Sequence, residues 1–288
     1  MRVVVVGDVG LDIVARHENP IVHGGDTRAA VAVTGGGAGA NTALWLRDQG
    51  ADPTLVARVG DDAGGRLLRS ELEAAGVHCE FAVDPDTATC CVVVLVDAEG
   101  QRTMLPDRGA NKRFRPDDIP ATALEGADHL HLSGYVLLDP SSRAGGLEAL
   151  TEAKRRGLTT SVDPQAAALL TDPQAFLADV QGVDLLLPNA DELRALTGSQ
   201  APEAARRLLD SVGAVAVTFG LEGAAWVDDD GIVTAPAEPV QCVDSTGAGD
   251  AFDAGVIIAW LQGESPRAAL AHGAALGARA VSRVGAQP

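Results

Sequence analysis

The chain opens Arg2-Val3-Val4-Val5-Val6-Gly7, a continuous β-branched run stopped by a glycine. A strand with no polar face is buried on both sides, a condition met at the centre of a parallel sheet. Short runs of the same kind recur at Leu55 to Val59, His129 to Leu132, Thr159 to Val162, Asp184 to Leu187 and Ala214 to Thr218. Most are separated by stretches with helical patterning: Gly39 to Gln49, Ala63 to Ala75, Ser142 to Arg156, Pro202 to Val212, Gly247 to Gln262 and Pro266 to Val281. The alternation predicts βαβ units in an α/β fold, with helices on both faces of a mostly parallel sheet. Two segments break the rhythm, Leu11 to Val33 and Thr89 to Pro106. In the second, Cys90 to Val96 and Arg102 to Leu105 flank Asp97-Ala98-Glu99-Gly100 as hairpin arms would. Together they predict a small β lid over the carboxyl edge of the main sheet, drawn from about residues 11–35 and 88–106.

Composition bounds what such a fold can do. With 288 residues, 46% of them hydrophobic, the chain has ample material for a core and lies near the upper limit for a single one. One domain over 1–288 with a small appendage is expected. The net charge is −18, from 22 basic and 40 acidic residues, and lysine stands only at 112 and 154, so no basic face is left for nucleic acid. A small phosphate ligand stays compatible if backbone amides and a divalent cation neutralise it. Cys79, Cys90, Cys91 and Cys242 form neither CxxC nor zinc-ligand spacing and read as buried free thiols. The N-terminal apolar run is too short for a signal peptide, and no run approaches the roughly twenty residues of a membrane helix. A cytoplasmic protein with no membrane partner is expected.

The chemistry concentrates in Asp244-Ser245-Thr246-Gly247-Ala248-Gly249-Asp250, followed by Ala251-Phe252-Asp253-Ala254-Gly255 and the apolar run Val256 to Leu261. Small residues at 247 to 249 let a ligand approach the backbone, and the unpaired amides of a helix start form an anion site. An acid in a first helical turn is commonly a helix stabiliser, which is the plain alternative for Asp250. Beside an anion hole, however, a carboxylate can take a proton from a hydroxyl while the amides hold a transferring phosphoryl group. A second glycine-rich stretch, Thr34-Gly35-Gly36-Gly37-Ala38-Gly39-Ala40-Asn41, enters a helix. Close ligand approach and a sharp lid-to-domain crossing explain its glycines equally well, and Asn41 could cap the helix or bind a hydroxyl. Neither stretch is a dinucleotide fingerprint, and no GxxxxGK[ST] loop is present.

These segments resemble the two signatures of the ribokinase-like (PfkB) carbohydrate kinase family, and the similarity spans nearly the whole chain. Gly7-Asp8 through Asp12 resembles the family's strand-one end with its sugar-binding Asp, and Gly36-Gly37-Ala38-Gly39-Ala40-Asn41 its Gly-Gly-x-x-x-Asn sugar loop. Asn189-Ala190-Asp191-Glu192 is similar to Asn-x-x-Glu, which organises magnesium and phosphate. Thr218-Phe219-Gly220-Leu221-Glu222-Gly223 is similar to the Thr-x-Gly-x-x-Gly nucleotide loop. Asp244 to Asp250 resembles the anion hole and base. The resemblance implies a three-layer α/β/α domain with a β lid, and ATP-dependent phosphorylation of a hydroxymethyl group of a small sugar with Mg2+. It also implies a monovalent cation, K+, held by carbonyls near Asp244 and Ser245 and by the segment around Arg283 and Gly285. A nucleoside kinase and a catalytically silent sugar-binding regulator are the alternatives.

Read as residues, Asn189 and Glu192 stand at i and i+3 past a strand end, so both can face a hydrated magnesium; a helix cap and a surface acid would look the same. Thr218 and Gly220 could meet a nucleotide through backbone or form an ordinary turn. Asp253 and Ser245 stand where many members have Asn and Thr. The strand Gln101 to Pro106 lacks the Tyr-x-Arg that would pair a sugar acid, which leaves neutral sugars and nucleosides. His129 and His131 face one side of a strand and read as satisfied core residues, and Trp45, Trp226 and Trp260 as packing. Two β-rich excursions with open edges predict a homodimer through the lids.

Overall fold

In the computed structural model, residues 1–288 are described, the side chain of Arg102 excepted. The first half of the chain runs β1 (Arg2–Val6), β2 (Gly10–Arg16), β3 (Ala30–Gly36), α1 (Ala38–Asp48), β4 (Asp52–Gly60), α2 (Ala63–Ala74), β5 (His78–Asp84), β6 (Cys90–Val96), β7 (Arg102–Asp107), β8 (His129–Ser133), α3 (Tyr135–Leu138) and α4 (Arg143–Arg155). The second half adds β9 (Thr159–Asp163), α5 (Pro173–Asp179), β10 (Val183–Leu186), α6 (Ala190–Thr197), β11 (Val212–Thr218), β12 (Ala224–Asp228), β13 (Gly231–Ala235), α7 (Ala248–Leu261) and α8 (Pro266–Val281). Nine strands form the main sheet in the order β13-β12-β11-β10-β9-β8-β1-β4-β5, parallel except at the β12 and β13 edge. The valines of β1 divide by the two-residue period of a strand. Val3 and Val5 pack with Trp45, Leu68, Phe252 and Ile257 from α1, α2 and α7; Val4 and Val6 pack with Leu150, Phe176 and Leu193 from α4, α5 and α6. This is the ribokinase-like α/β fold.

The two irregular segments pair as expected into a second sheet, β3-β2-β6-β7, in which β2 and β6 run parallel and the hairpins antiparallel. On the face turned away from Asp12, Val31, Val33 and Leu105 are 63%, 54% and 56% exposed, while Met104, next along β7, lines the cavity that holds Asp12. Some expectations fail for physical reasons. Pro202 to Val212 is not an α-helix: Pro202–Leu208 is a 3₁₀ helix, and Val212 already opens β11. A tighter coil started by proline fits the short span before that strand. β5 is half polar because it is a sheet edge, and α5 and α6, at 7 and 8 residues, are too short to show a period. Cys242 is exposed rather than buried, since it lies on the segment between β13 and α7 outside both cores, and Cys79 and Cys91 are only partly covered. Among the described residues no helix is long and apolar enough to cross a membrane.

Candidate active site

α7 starts where Gly247 takes φ +75°, a left-handed backbone, and a Cβ there would also strike Ala286, so a side chain is excluded twice. Gly249 needs no such explanation, because a Cβ added to it would meet only open space; its smallness leaves room in front of the helix start. Asp250 lies in the first turn, 8% exposed, and its Oδ2 accepts a 2.8 Å hydrogen bond from Asn41 Nδ2. Burial raises its pKa to about 7, assisted by the nearby Asp8 charge and opposed by hydrogen bonds from Asn41 and Gln165. A carboxyl poised there can both accept and release a proton near neutrality.

Asn41 is not a helix cap, since α1 begins at Gly37 with no side-chain cap. It spans to α7 instead, and its Oδ1 is buried without a partner. Gly37 has φ +98°, and a Cβ there would strike the Asp8 and Val9 backbone, so a tight crossing between lid and domain accounts for it; a Cβ at Gly36 would enter the Asp12 carboxylate, so Gly36 leaves room for that acid within the lid. Asp12, on β2, has its pKa raised to about 6 by burial and by Asp8. It lines a cavity of about 310 Å³ with Thr34, Gly35, Asp244 and Thr246.

Across α7 the Asn-x-x-Glu segment closes on itself. Asn189 Oδ1 accepts from the backbone of Asp191 and Glu192 at 2.9 and 3.0 Å, while Glu192 accepts from Asn189 N and Nδ2 at 2.8 and 2.7 Å. This capping box is the helix-cap alternative realised, yet Glu192 is no surface acid: it is 2% exposed, and burial lifts its pKa to about 7. Its charge acts on Asp163 at the end of β9, which also crowds Asp253 on α7; burial, first, and this mutual repulsion raise both pKa values well above the ordinary range. Buried carboxyls in mutual repulsion suit a cation. Among the described residues no three His, Cys, Asp or Glu side chains are grouped to cage one directly; Glu192 and Asp163 are the acids that would meet a hydrated Mg2+ through its waters.

Thr218 ends β11 beside Asn189, and its N–H donates to the Pro188 carbonyl at 3.1 Å. Gly220 and Gly223 follow with φ +58° and +96°, and a Cβ at Gly223 would strike the Ala235 carbonyl. Thr218, Gly220, Ser245, Ala248 and Gly249 line a largely apolar cavity of about 440 Å³. Asp244 accepts from Thr246 N at 2.8 Å and Gly285 N at 3.2 Å, which joins the two segments expected to hold a monovalent cation. His129 and His131 are buried and share Ser161 Oγ at 2.8 and 2.9 Å. The reading by residue types missed Asp163, Gln165, Tyr135 and Arg108; for Asp163 a signal existed, an acid at the carboxyl end of a central strand.

A layered α/β sheet with a β lid, and a helix start presenting small residues and a buried acid at its carboxyl edge, is the architecture of a small-molecule phosphotransferase. The whole chain, residues 1–288, matches the pfkB family of carbohydrate kinases and belongs to it. It is 33% identical over 100% of its length, and 94% of the relative's, to an ATP-dependent ribose-1-phosphate kinase of Halopiger xanaduensis. It is 28% identical to an aminoimidazole riboside kinase of Salmonella typhimurium, over 89% of this chain and 80% of that one. Among solved structures, an E. coli protein described as a Ribokinase II in complex with ATP and Mg2+ superposes with a TM-score of 0.89 at 25% identity, covering 99% of this chain and 94% of its own.

Proposed function

We propose that the chain transfers the γ-phosphoryl group of ATP to a hydroxymethyl group of a small sugar held under the lid, with Asp250 as general base. One observation carries this reading: the segment from Asp244 to Gly249 lines both cavities, Asp244 and Thr246 the one bounded by Asp12, and Ser245, Ala248 and Gly249 the one bounded by Thr218. An acceptor hydroxyl in the first cavity and a nucleotide in the second meet at the start of α7. There Asp250 takes the hydroxyl proton, and the first-turn amides hold the phosphoryl oxygens. Asp12, Gly36, Gly37 and Asn41 form the acceptor side, and Thr218, Gly220 and Gly223 the nucleotide side. Mg2+, bound through water to Asn189, Glu192 and Asp163, would neutralise phosphate charge. K+ would meet carbonyls beside Asp244 and Ser245, because the Asp244 carboxylate already accepts backbone N–H groups. The whole chain, 1–288, acts as one domain with a lid.

The acceptor side also holds polar atoms that a hydroxyl-rich ligand would satisfy: Asn41 Oδ1, Asn111 Oδ1 and Arg108 Nη2 are buried without partners. Arg108 favours a second reading. Its guanidinium lies 5.0 Å from the Tyr135 ring and makes no ion pair among the described residues, which suits an acceptor carrying an anionic group such as a sugar phosphate. ADP release measured with ribose, fructose, ribose 1-phosphate and nucleosides tests both. Release that depends on one of these acceptors supports the kinase reading and names the class; ATP consumption indifferent to all of them refutes it.

A further inference from the structure

α8 ends at Val281, and the residues after it come back to the start of α7. The Val281 carbonyl accepts from Val243 N and Asp244 N at 2.7 and 3.2 Å. Gly285 N donates to Asp244 Oδ2 at 3.2 Å, and Ala286 fills the space in which a Gly247 side chain would lie. The Ala286 carbonyl accepts from Trp45 Nε1 at 2.8 Å, and Gln287 Nε2 donates to the Gly35 carbonyl at 3.0 Å. Residues 281–287 thus bind, in chain order, the approach to α7, then α1, then the end of β3 in the lid. Trp45 is fully buried, so its N–H has to be met within the protein, which fixes the strand of chain at Ala286.

We infer, resting on the two-cavity reading above, that Gly285–Gln287 is a strap registering the acceptor side of the site against the start of α7, with Gln287 the positioning residue that holds the base of the lid. Gly35 immediately precedes the crossing from lid to α1 at Gly36 and Gly37, so a bond at its carbonyl restrains the point about which the lid sheet can move. Trp45 stands one turn after Asn41, so the bond to Ala286 steadies the helix that carries Asn41 to Asp250. Gly285, Ala286 and Gln287 all line the cavity bounded by Asp12, and none of them lines the one bounded by Thr218. Loosening the strap therefore acts on the acceptor and spares the nucleotide. The partner of Gln287 is a carbonyl, which only accepts, so an ionised glutamate of the same reach has no hydrogen to give it.

Gln287→Ala removes one donor from a partly buried side chain, so the variant should fold and melt near wild type. Its acceptor KM should rise about 2- to 10-fold, the scale of one hydrogen bond, with the ATP KM within about twofold. Gln287→Glu should do the same despite its reach. Hydrogen exchange of the substrate-free protein separates the tie from any direct touch of Gln287 on the acceptor. Amides of β2 and β3 should exchange about 2- to 10-fold faster in both variants, with those of α4 and β10 unchanged. Lid exchange equal to wild type overturns the inference, as does an acceptor KM that does not move. If wild-type ATP consumption is indifferent to every acceptor of the panel, the kinase reading fails instead, and the exchange measurement, made without substrate, still decides the strap.

Discussion

At Asp250, burial and hydrogen bonding pull in opposite directions, and the carboxyl settles at about 7. A base must be ionised to accept a proton, so kcat/KM should be full above that value and drop about tenfold per unit as pH falls below it; a pH-rate profile measures this. Glu192→Gln should raise the Mg2+ concentration needed for half-maximal rate while leaving sugar affinity unchanged, since one charge leaves the metal's surroundings and the acceptor cavity is untouched. A titration of rate against Mg2+ that matches wild type would remove Glu192 from that role. The buried histidines bear on stability. Burial holds His129 and His131 neutral down to about 3, from an ordinary 6.5, so between these values the unfolded chain binds more protons and stability falls as pH falls. Each contributes about 1.4 kcal/mol per pH unit in that window. His131→Gln should flatten the slope of urea-derived stability between pH 6 and 4 by about that much, whatever its effect on absolute stability. Asp250, Asn41 and Glu192 were legible from their types and spacing. Gln165 was not, because a left-handed backbone at a non-glycine residue leaves no local pattern, and Asp163 was passed over at the carboxyl end of its strand because the acids that single it out lie far along the chain, on α6 and α7.

At the scale of elements, the glycines of the two rich stretches do different things. Gly37 and Gly247 permit a left-handed backbone and a tight crossing, whereas Gly249 faces open space. Gly247→Ala should therefore cost roughly 1–2 kcal/mol for the left-handed conformation alone, with more from contact with Ala286, and thermal melting should show a drop of several degrees. Gly249→Ala should melt near wild type but lose turnover, as the methyl enters the space before the helix start. The strands of the parallel core were readable in the sequence because burial on both faces leaves unbroken apolar runs such as Val3 to Val6. β5 and β13 were not, because edge strands mix polar and apolar residues, and the short 3₁₀ coil after Ala201 looks helical to any periodic reading.

For the whole molecule, the lid presents Val31, Val33 and Leu105 on the outer face of a sheet with open edges, and we expect two copies to cover one another there. Light scattering should give twice the 29.4 kDa chain mass at micromolar concentration, and Val33→Asp should return a monomer. A monomeric wild type at high concentration would leave the lid to close alone. Asp250→Asn, assayed for ADP release with the best acceptor of the panel alongside its melting temperature, tests the mechanism most directly. The substitution keeps the shape, removes a charge beside the phosphate site and cannot accept a proton. Turnover should fall on the order of 10²–10⁴-fold, about 3–5 kcal/mol of barrier, with sugar and ATP binding retained and melting unchanged or higher. A variant that melts several degrees lower yet turns over near the wild-type rate would make Asp250 a helix-stabilising acid and contradict the mechanism.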